Sequence, residues 1–471
     1  MRFDEYNRYD ATGLSRLIAD GEVSIAEVTE TAISAIESLN LELNAVITAM
    51  FDRARESIKS GLPDGPLCGV PYLVKDLNTW VADVPAVNGS RAFRDFVPAQ
   101  DSVLVSRLRN AGLVILGKTN TPEFGLNICT SPTLFGPTRN PFDTQRSAGG
   151  SSGGSACAVA AGMLPAAHAT DSGGSIRIPA SNCGLFGLKP SRSRVPLGND
   201  QAEGLAGFSV AHAVTHSVRD SALLLELTAG PMAGDMYSAP MPTKPFMRCI
   251  EGSLPKLRVA LWTEGFAGES VSEACQSTAH ETAKLCESVG CRVEAIRPPV
   301  DGQALRHAFD VLFSTTVRNI VNSVAAAHPD KSVESLFEPV TFACSESARQ
   351  FSAVDYAMAI QITQQAARSL GQFFQQYDVL LTPTLANPPL ALGAMDMQSD
   401  DWPDYLGKLL DEIPFTPLFN ATGAPAASLP LGKSSDGLPV GVQIGSALGG
   451  EATLLQLARA LEQAAPWHRR I

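Results

Sequence analysis

Long hydrophobic runs and an excess of basic residues are both missing from this 471-residue sequence. No run of about 18 apolar residues occurs, so we expect no membrane-spanning helix. Residues 1–10, MRFDEYNRYD, have no apolar core, and we therefore expect no secretory signal and a cytoplasmic location. The formal net charge of −12 disfavours unaided binding to nucleic acid, because a polyanion would be repelled.

Metal-binding patterns and familiar histidine spacings are scarce as well. The nine cysteines are scattered, and without a secretory signal we expect them to be reduced, mostly buried thiols. His212 and His216 could face each other on a helix, but no carboxylate or cysteine stands at ligand spacing, so we predict no metal site. We predict no nucleophile elbow of the GxSxG type found in many serine hydrolases. His168 stays open as a base on sequence distance alone, although its strand-like segment indicates an interior position.

Internal repeats and linkers are also absent, and helix-like and strand-like segments alternate along the chain. Ser24–Glu27 has the form of a capping box, and apolar residues follow it at helical spacing. Short apolar stretches at 69–75, 378–386 and 438–445 are typical of buried strands. The pattern predicts an α/β fold, in which a single large mixed β-sheet core is covered by helices on both faces. We expect residues 1–471 to form one domain.

One motif in this pattern is misleading. Residues 112–119, GLVILGKT, satisfy the phosphate-loop pattern GxxxxGK[ST]. A phosphate loop requires a strand before the first glycine and a helix after the lysine. Here a helix-like segment precedes Gly112, the intervening residues are strand-like, and Pro122 follows. We therefore predict that Lys118 holds no nucleotide.

Two serines in a glycine-rich stretch, residues 146–194, are the strongest chemical signal. Ser151 and Ser175 each follow a pair of glycines. Glycine permits tight turns and lets backbone N–H groups converge on a small anion. A flexible linker would account for residues 147–155 alone, because apolar helix-like and strand-like segments separate the two serines.

Three motifs in this part of the chain resemble the amidase signature family of serine hydrolases. They are GGSSGGS at 149–155, DSGGSIRIPA at 171–180 and CGLFGLKPS at 183–191. The resemblance extends over residues 10–467 and implies the fold of that family. It implies a signature core at about 68–196 and a variable, substrate-facing region at about 200–425.

The resemblance also implies the catalytic residues. Ser175 would be the nucleophile, and Ser151, preceded by a cis peptide bond, would bridge it to a base. Lys75 would be that base, because it lies in GVPYLVKD at 69–76, which resembles the family's lysine segment. Taken alone, a lysine at the end of a buried strand would be expected to extend to the surface.

The glycines in the turn that begins at Asp171 permit a tight backbone conformation that is suited to binding an anion. Its backbone N–H groups can point into one concavity and stabilise an oxyanion. We expect Asp171 and Arg177, which flank the turn, to form a structural ion pair or to cap it. The predicted oxyanion donors are the backbone N–H groups of Ser172, Gly173, Gly174 and Ser175.

These residues imply hydrolysis of a small carboxamide through an acyl-enzyme, without a cofactor. Residues 46–55 and 413–431 most resemble the 6-aminohexanoate cyclic-dimer hydrolase branch, which implies a linear or cyclic aliphatic amide as substrate. The A subunit of a tRNA-dependent amidotransferase and a catalytically silent binding protein remain as alternatives. A homodimer also stays open, and the sequence assigns no residue to the specificity pocket.

Overall fold

The computed structural model describes residues 1–198 and 203–467, and its centre is an eleven-stranded β-sheet. A separate hairpin contains two further strands. The strands are β1 Val46–Ala49, β2 Pro71–Lys75, β3 Val114–Thr119, β4 Arg139–Asn140, β5 Asp143–Ser147, β6 Ala166–Asp171, β7 Phe186–Lys189, β8 Val210–Thr215, β9 Arg258–Leu261, β10 Arg292–Ala295, β11 Val379–Pro383, β12 Ala426–Lys433 and β13 Pro439–Gly445.

Helices surround this sheet. Within the described residues none of them is long and apolar enough to cross a membrane. The helices are α1 Phe3–Tyr6, α2 Ala11–Ala19, α3 Ile25–Leu43, α4 Phe51–Ser60, α5 Val103–Asn110, α6 Gly153–Ala160, α7 Arg177–Asn182, α8 Val218–Thr228, α9 Phe246–Ile250, α10 Glu273–Ser288, α11 Gly302–Ala327, α12 Pro339–Ser347, α13 Ala353–Phe373, α14 Trp402–Glu412, α15 Pro417–Thr422 and α16 Glu451–Ala464.

The sheet is mixed, with the order β1-β3-β2-β6-β8-β7-β12-β13-β11-β9-β10. Strand β2 runs parallel to β3 and β6, whereas β6 pairs with β8 in the antiparallel sense. Every residue of β2, β3, β8 and β13 is buried. Because successive side chains point to opposite faces, such strands must be covered on both sides. The predicted α/β fold with a large mixed sheet is confirmed.

A local signal in the sequence correctly predicts the start of a helix. The capping box at Ser24 and Glu27 is present at the start of α3.

The phosphate-loop pattern at residues 112–119 is not a phosphate loop, because α5 precedes Gly112 and the lysine lies within β3. There the buried side chain of Lys118 forms an ion pair with the buried side chain of Asp76.

His212 and His216 do not face each other on a helix, the arrangement that their spacing left open. His212 lies within β8, opposite Ala169 of β6, and His216 follows the end of that strand. The segment VAHAVT is short and contains β-branched valine and threonine, which fit a pleated strand between two neighbours. Among the described residues no group of three or more histidine, cysteine, aspartate or glutamate side chains could hold a metal ion.

Candidate active site

Lys75 is held at the carboxyl end of β2, and its side chain is completely buried. Its Nζ lies 2.7 Å from Ser151 Oγ, 2.9 Å from Ser152 Oγ and 2.9 Å from Thr170 Oγ1. Burial lowers the pKa of Lys75 well below its ordinary value, and the charge of Asp171 opposes this shift. A neutral amine has two N–H groups and one lone pair, so it can donate to two hydroxyls and accept from the third.

Ser151 reaches Lys75 from the turn that precedes α6. The Gly150–Ser151 peptide bond is cis, as the resemblance implied. Gly150 is tightly enclosed, because a Cβ added there would lie 2.6 Å from the carbonyl oxygen of Asn127. Ser152, the N-cap of α6, also contacts Lys75, so the positive end of the helix dipole lies near the amine. That dipole disfavours the ammonium form.

Ser175 lies opposite this cluster. It is partly exposed, and with Ser151 it lines one cavity, which we call the front cavity. Its carbonyl oxygen accepts a hydrogen bond from the Ser152 N–H at 3.3 Å, which joins the two glycine-rich turns. The preceding residue, Gly174, has a φ of +138°, a conformation that strongly favours glycine. The structure thus brings the three predicted residues into one place.

The predicted oxyanion donors need one correction. The N–H of Gly174 donates to Asp171 Oδ1 at 2.8 Å, so it points into the protein and is not available to a ligand. Because the sequence does not show the orientation of the Asp171 carboxylate, this inward bond could not be foreseen. The N–H groups of Ser172, Gly173 and Ser175 remain candidates.

Asp171 and Arg177 have the structural role expected of them. The guanidinium of Arg177 donates to both carboxylate oxygens of Asp171, at 2.9 Å each. Burial alone would raise the pKa of Asp171, but the nearby positive charges, chiefly that of Arg177, lower it to about 2. Asn420 and Thr416 complete the support, because Asn420 Nδ2 donates to Asp171 Oδ1 at 2.8 Å and Thr416 Oγ1 donates to the Gly173 carbonyl at 2.6 Å.

His168 is buried behind Lys75 and is not placed to act as a base. Its Nδ1 accepts a hydrogen bond from the backbone N–H of Lys75 at 3.2 Å. The ring lone pair is therefore occupied, and a neutral ring carries its proton on Nε2. Burial, the largest cause, lowers the pKa of His168 to about 3. The open alternative of a histidine base is not supported.

Several residues of the site were missed by sequence reasoning. Ser152 stands beside Ser151 in the same motif, and that adjacency was the available signal. Thr170 was identifiable only as the last but one residue of a strand. Thr416 and Asn420 lie more than two hundred positions from the motif serines, and no pattern links them to the site.

The front cavity is walled mainly by apolar side chains. Phe309 and Phe313 of α11 stack with their ring centroids 3.9 Å apart, and Trp402 of α14 lies beside them on the same wall. A second cavity adjoins it and shares Leu77 and Ser172. This second cavity reaches Thr170, on the Lys75 side of the cluster.

Comparison with known proteins identifies the family of this chain. The Amidase family profile matches residues 27–455. The 6-aminohexanoate-cyclic-dimer hydrolase of Paenarthrobacter ureafaciens is 35% identical over 479 residues, which cover 97% of this chain and 95% of that protein. A similar protein from Pseudomonas sp. (strain NK87), with the same description, shows the same identity and coverage.

Solved structures agree with this assignment. The structure of a 6-aminohexanoate cyclic dimer hydrolase superposes with a TM-score of 0.93 at 33% identity, covering 98% of each chain. A bacterial aryl acylamidase of the amidase signature family gives a TM-score of 0.87 at 28% identity, covering 98% of this chain and 96% of that one. With its family profile, relatives and fold in agreement, this chain belongs to the amidase signature family and is an amidase.

Proposed function

We propose that this amidase hydrolyses a small carboxamide through an acyl-enzyme on Ser175, with Ser151 and Lys75 relaying the proton. The observation that carries the proposal is the buried contact of 2.7 Å between Lys75 Nζ and Ser151 Oγ. A lysine can accept a proton only when it is neutral, and burial favours the neutral form here. The same residue would be a poor base on the surface, where its pKa is about 10.4.

The reaction divides into acylation and deacylation. Ser175 Oγ attacks the amide carbonyl while its proton passes to Ser151 and the proton of Ser151 passes to Lys75. The oxyanion is stabilised by the available backbone N–H groups of the turn. The relay then returns the proton to the leaving amine as the C–N bond breaks. Water, deprotonated by the same relay, hydrolyses the ester and regenerates Ser175.

The signature core and the variable region contribute different parts of the candidate site, and this supports the proposal. Residues of the signature core, about 68–196, supply Lys75, both serines and the oxyanion turn. The variable region, about 200–425, supplies apolar walls of the front cavity through α11 and α14. We infer that the two regions act as one catalytic domain spanning residues 1–471.

The amidotransferase alternative is less well supported. The A subunit of glutamyl-tRNA(Gln) amidotransferase from Thermotoga maritima superposes with a TM-score of 0.75 at 26% identity, over 99% of this chain and 95% of that one. That likeness is weaker than the one to the cyclic dimer hydrolase. An intact Lys75–Ser151 contact argues likewise against a catalytically silent binding protein.

Activity of the purified chain on simple aliphatic amides tests the proposal. We expect hydrolysis without partner subunits, and a fluorophosphonate adduct on Ser175 located by mass spectrometry. Ser175→Ala should lower kcat by a factor on the order of 10³ or more. Ser172→Ala is a matched control, because its hydroxyl contacts Ser209 at 2.7 Å. An adduct on Ser151 or Ser172 would overturn the assignment of the nucleophile.

A further inference from the structure

The chemical character of the front cavity wall limits what can bind there. Apart from the serines of the two turns, its lining is built from phenylalanine, leucine, isoleucine, glycine, one tryptophan and one asparagine. Among the described lining residues none has an ionisable side chain that is charged at neutral pH. The described wall therefore offers no counter-charge to an ammonium or a carboxylate group.

Apart from the serines, the polar side chains in that wall already have hydrogen-bond partners within the protein. Asn127 Nδ2 donates to the carbonyl of Met395 at 3.1 Å, and Asn127 Oδ1 accepts from the N–H of Cys129 at 2.7 Å. The indole N–H of Trp402 donates to Asp310 Oδ1 at 2.8 Å. Along the described wall beyond the serines, both remaining polar side chains are thus already hydrogen-bonded within the protein.

The geometry of the relay indicates which part of an amide enters this cavity. The leaving nitrogen must receive its proton from Ser151, so it faces Lys75 and Thr170, the side on which the second cavity lies. The acyl group then extends away from the relay. It lies between the serines and the stacked rings of Phe309 and Phe313.

We infer that the front cavity selects an uncharged hydrocarbon acyl group that carries no second polar group. This inference rests on the proposed acyl-enzyme mechanism and names its substrate class. A buried amide, ammonium or carboxylate would lose its hydrogen bonds to water and would meet a mainly apolar wall, whose polar side chains beyond the serines already have partners within the protein. The selectivity differs from that suggested by the cyclic-dimer relatives, because a cyclic dimer of 6-aminohexanoate carries two amides.

Four primary amides with acyl chains of equal length test this selectivity. They are hexanamide, 3-acetamidopropanamide, 5-aminopentanamide and glutaramic acid, which differ in having no further polar group, an amide, an ammonium or a carboxylate. We expect kcat/KM for hexanamide to exceed each of the others by a factor on the order of 10². Equal values, or a preference for any polar chain, would overturn the inference.

A wall variant checks that the selectivity arises at this surface. Leu409 lines the front cavity, whereas its buried neighbour Leu410 does not. Leu409→Asn adds a donor and an acceptor to the wall, so it should raise the kcat/KM ratio of 3-acetamidopropanamide to hexanamide about tenfold. Leu410→Asn is the matched control on the same helix and should leave the ratio unchanged. An equal change in both variants would count against the wall as the source of selectivity.

Binding separates this inference from the mechanism on which it rests. In Ser175→Ala the wall is intact, and calorimetry with the same four amides measures the dissociation constants without turnover. We expect the smallest Kd for hexanamide. If the polar amides bind as tightly, the inference fails even where Ser175 is labelled. If hexanamide binds best but Ser175 stays unlabelled in the unmodified chain, the proposed mechanism alone fails.

Discussion

Asp171 and Arg177 form a doubly hydrogen-bonded ion pair in which both side chains are completely buried. The same carboxylate accepts the N–H of Gly174 at 2.8 Å and the N–H of Ile176 at 3.1 Å. The bonds from Gly174 and Ile176 hold the backbone on both sides of Ser175. The pair therefore supports the turn that contains Ser175, the proposed nucleophile, through the residues on either side of it.

Removing the Asp171 carboxylate should lower the stability of the fold. Asp171→Asn leaves the buried Arg177 without its counter-charge, and we expect a loss of about 3–5 kcal/mol in the free energy of unfolding, measured with urea. The exposed pair of Asp404 and Lys408 provides the control, since Asp404→Asn should have little effect. A stability loss in Asp171→Asn no larger than in the control would contradict the supporting role.

The same pair gives a pH dependence with a definite sign. The pKa of Asp171 is lowered to about 2 in the fold, against about 3.9 in an unfolded chain. Its contribution to stability is therefore present above about pH 4 and is lost as the pH falls towards 2. The free energy of unfolding, measured as the pH is lowered from about 4 towards 2, should fall less steeply in Asp171→Asn than in the unmodified chain.

Gly174 should tolerate no side chain. Its φ of +138° strains any other residue, and an added Cβ would lie 2.5 Å from Thr416 Oγ1. We expect Gly174→Ala to slow fluorophosphonate labelling of Ser175 by a factor on the order of 10² or more, as for loss of oxyanion stabilisation. Gly437→Ala is the matched control, because Gly437 also has a positive φ, +80°, but an added Cβ would meet nothing within 4 Å. Normal labelling of Gly174→Ala would show that the turn adapts.

His168 should act by positioning Lys75, because its Nδ1 accepts a hydrogen bond from the Lys75 backbone N–H. His168→Asn keeps an acceptor close to the place of Nδ1, whereas His168→Leu removes it. We expect kcat to fall about tenfold in the leucine variant, in line with one lost hydrogen bond, and to be partly restored in the asparagine variant. If His168 were the base, the asparagine and leucine variants would be equally inactive.

The motifs predicted the positions of Lys75, Ser151 and Ser175 better than their surroundings. GVPYLVKD placed Lys75 at the end of a buried strand, and the glycine pairs placed Ser151 and Ser175 in turns, because glycine and apolar runs act locally. The contact of Lys75 with Thr170 depends on the register of β2 and β6, which is set by the whole sheet. A lone lysine on a strand gives no sign of that register.

The front cavity could not be predicted for a related reason. Phe309 and Trp402 come from helices that are far from Ser175 in the sequence, and their apolar residues have the same helical spacing whether they face the core or a ligand. The position of His212 depends on the sheet in the same way. Its spacing to His216 allows a helix, but β8 lies between β6 and β7, and pairing with both neighbours favours a strand.

The most direct test of the proposed relay is the pH dependence of Ser175 labelling in the unmodified chain and in Lys75→Met. Methionine matches the length and packing of the lysine but accepts no proton, so the variant should stay folded. We predict that labelling of the unmodified chain slows as the pH falls through the pKa of the coupled Lys75–Ser151–Ser175 group. Lys75→Met should be labelled at least about 10²-fold more slowly, without that pH dependence. Labelling of Lys75→Met at the unmodified rate and with the same pH profile would show that Lys75 is not the base.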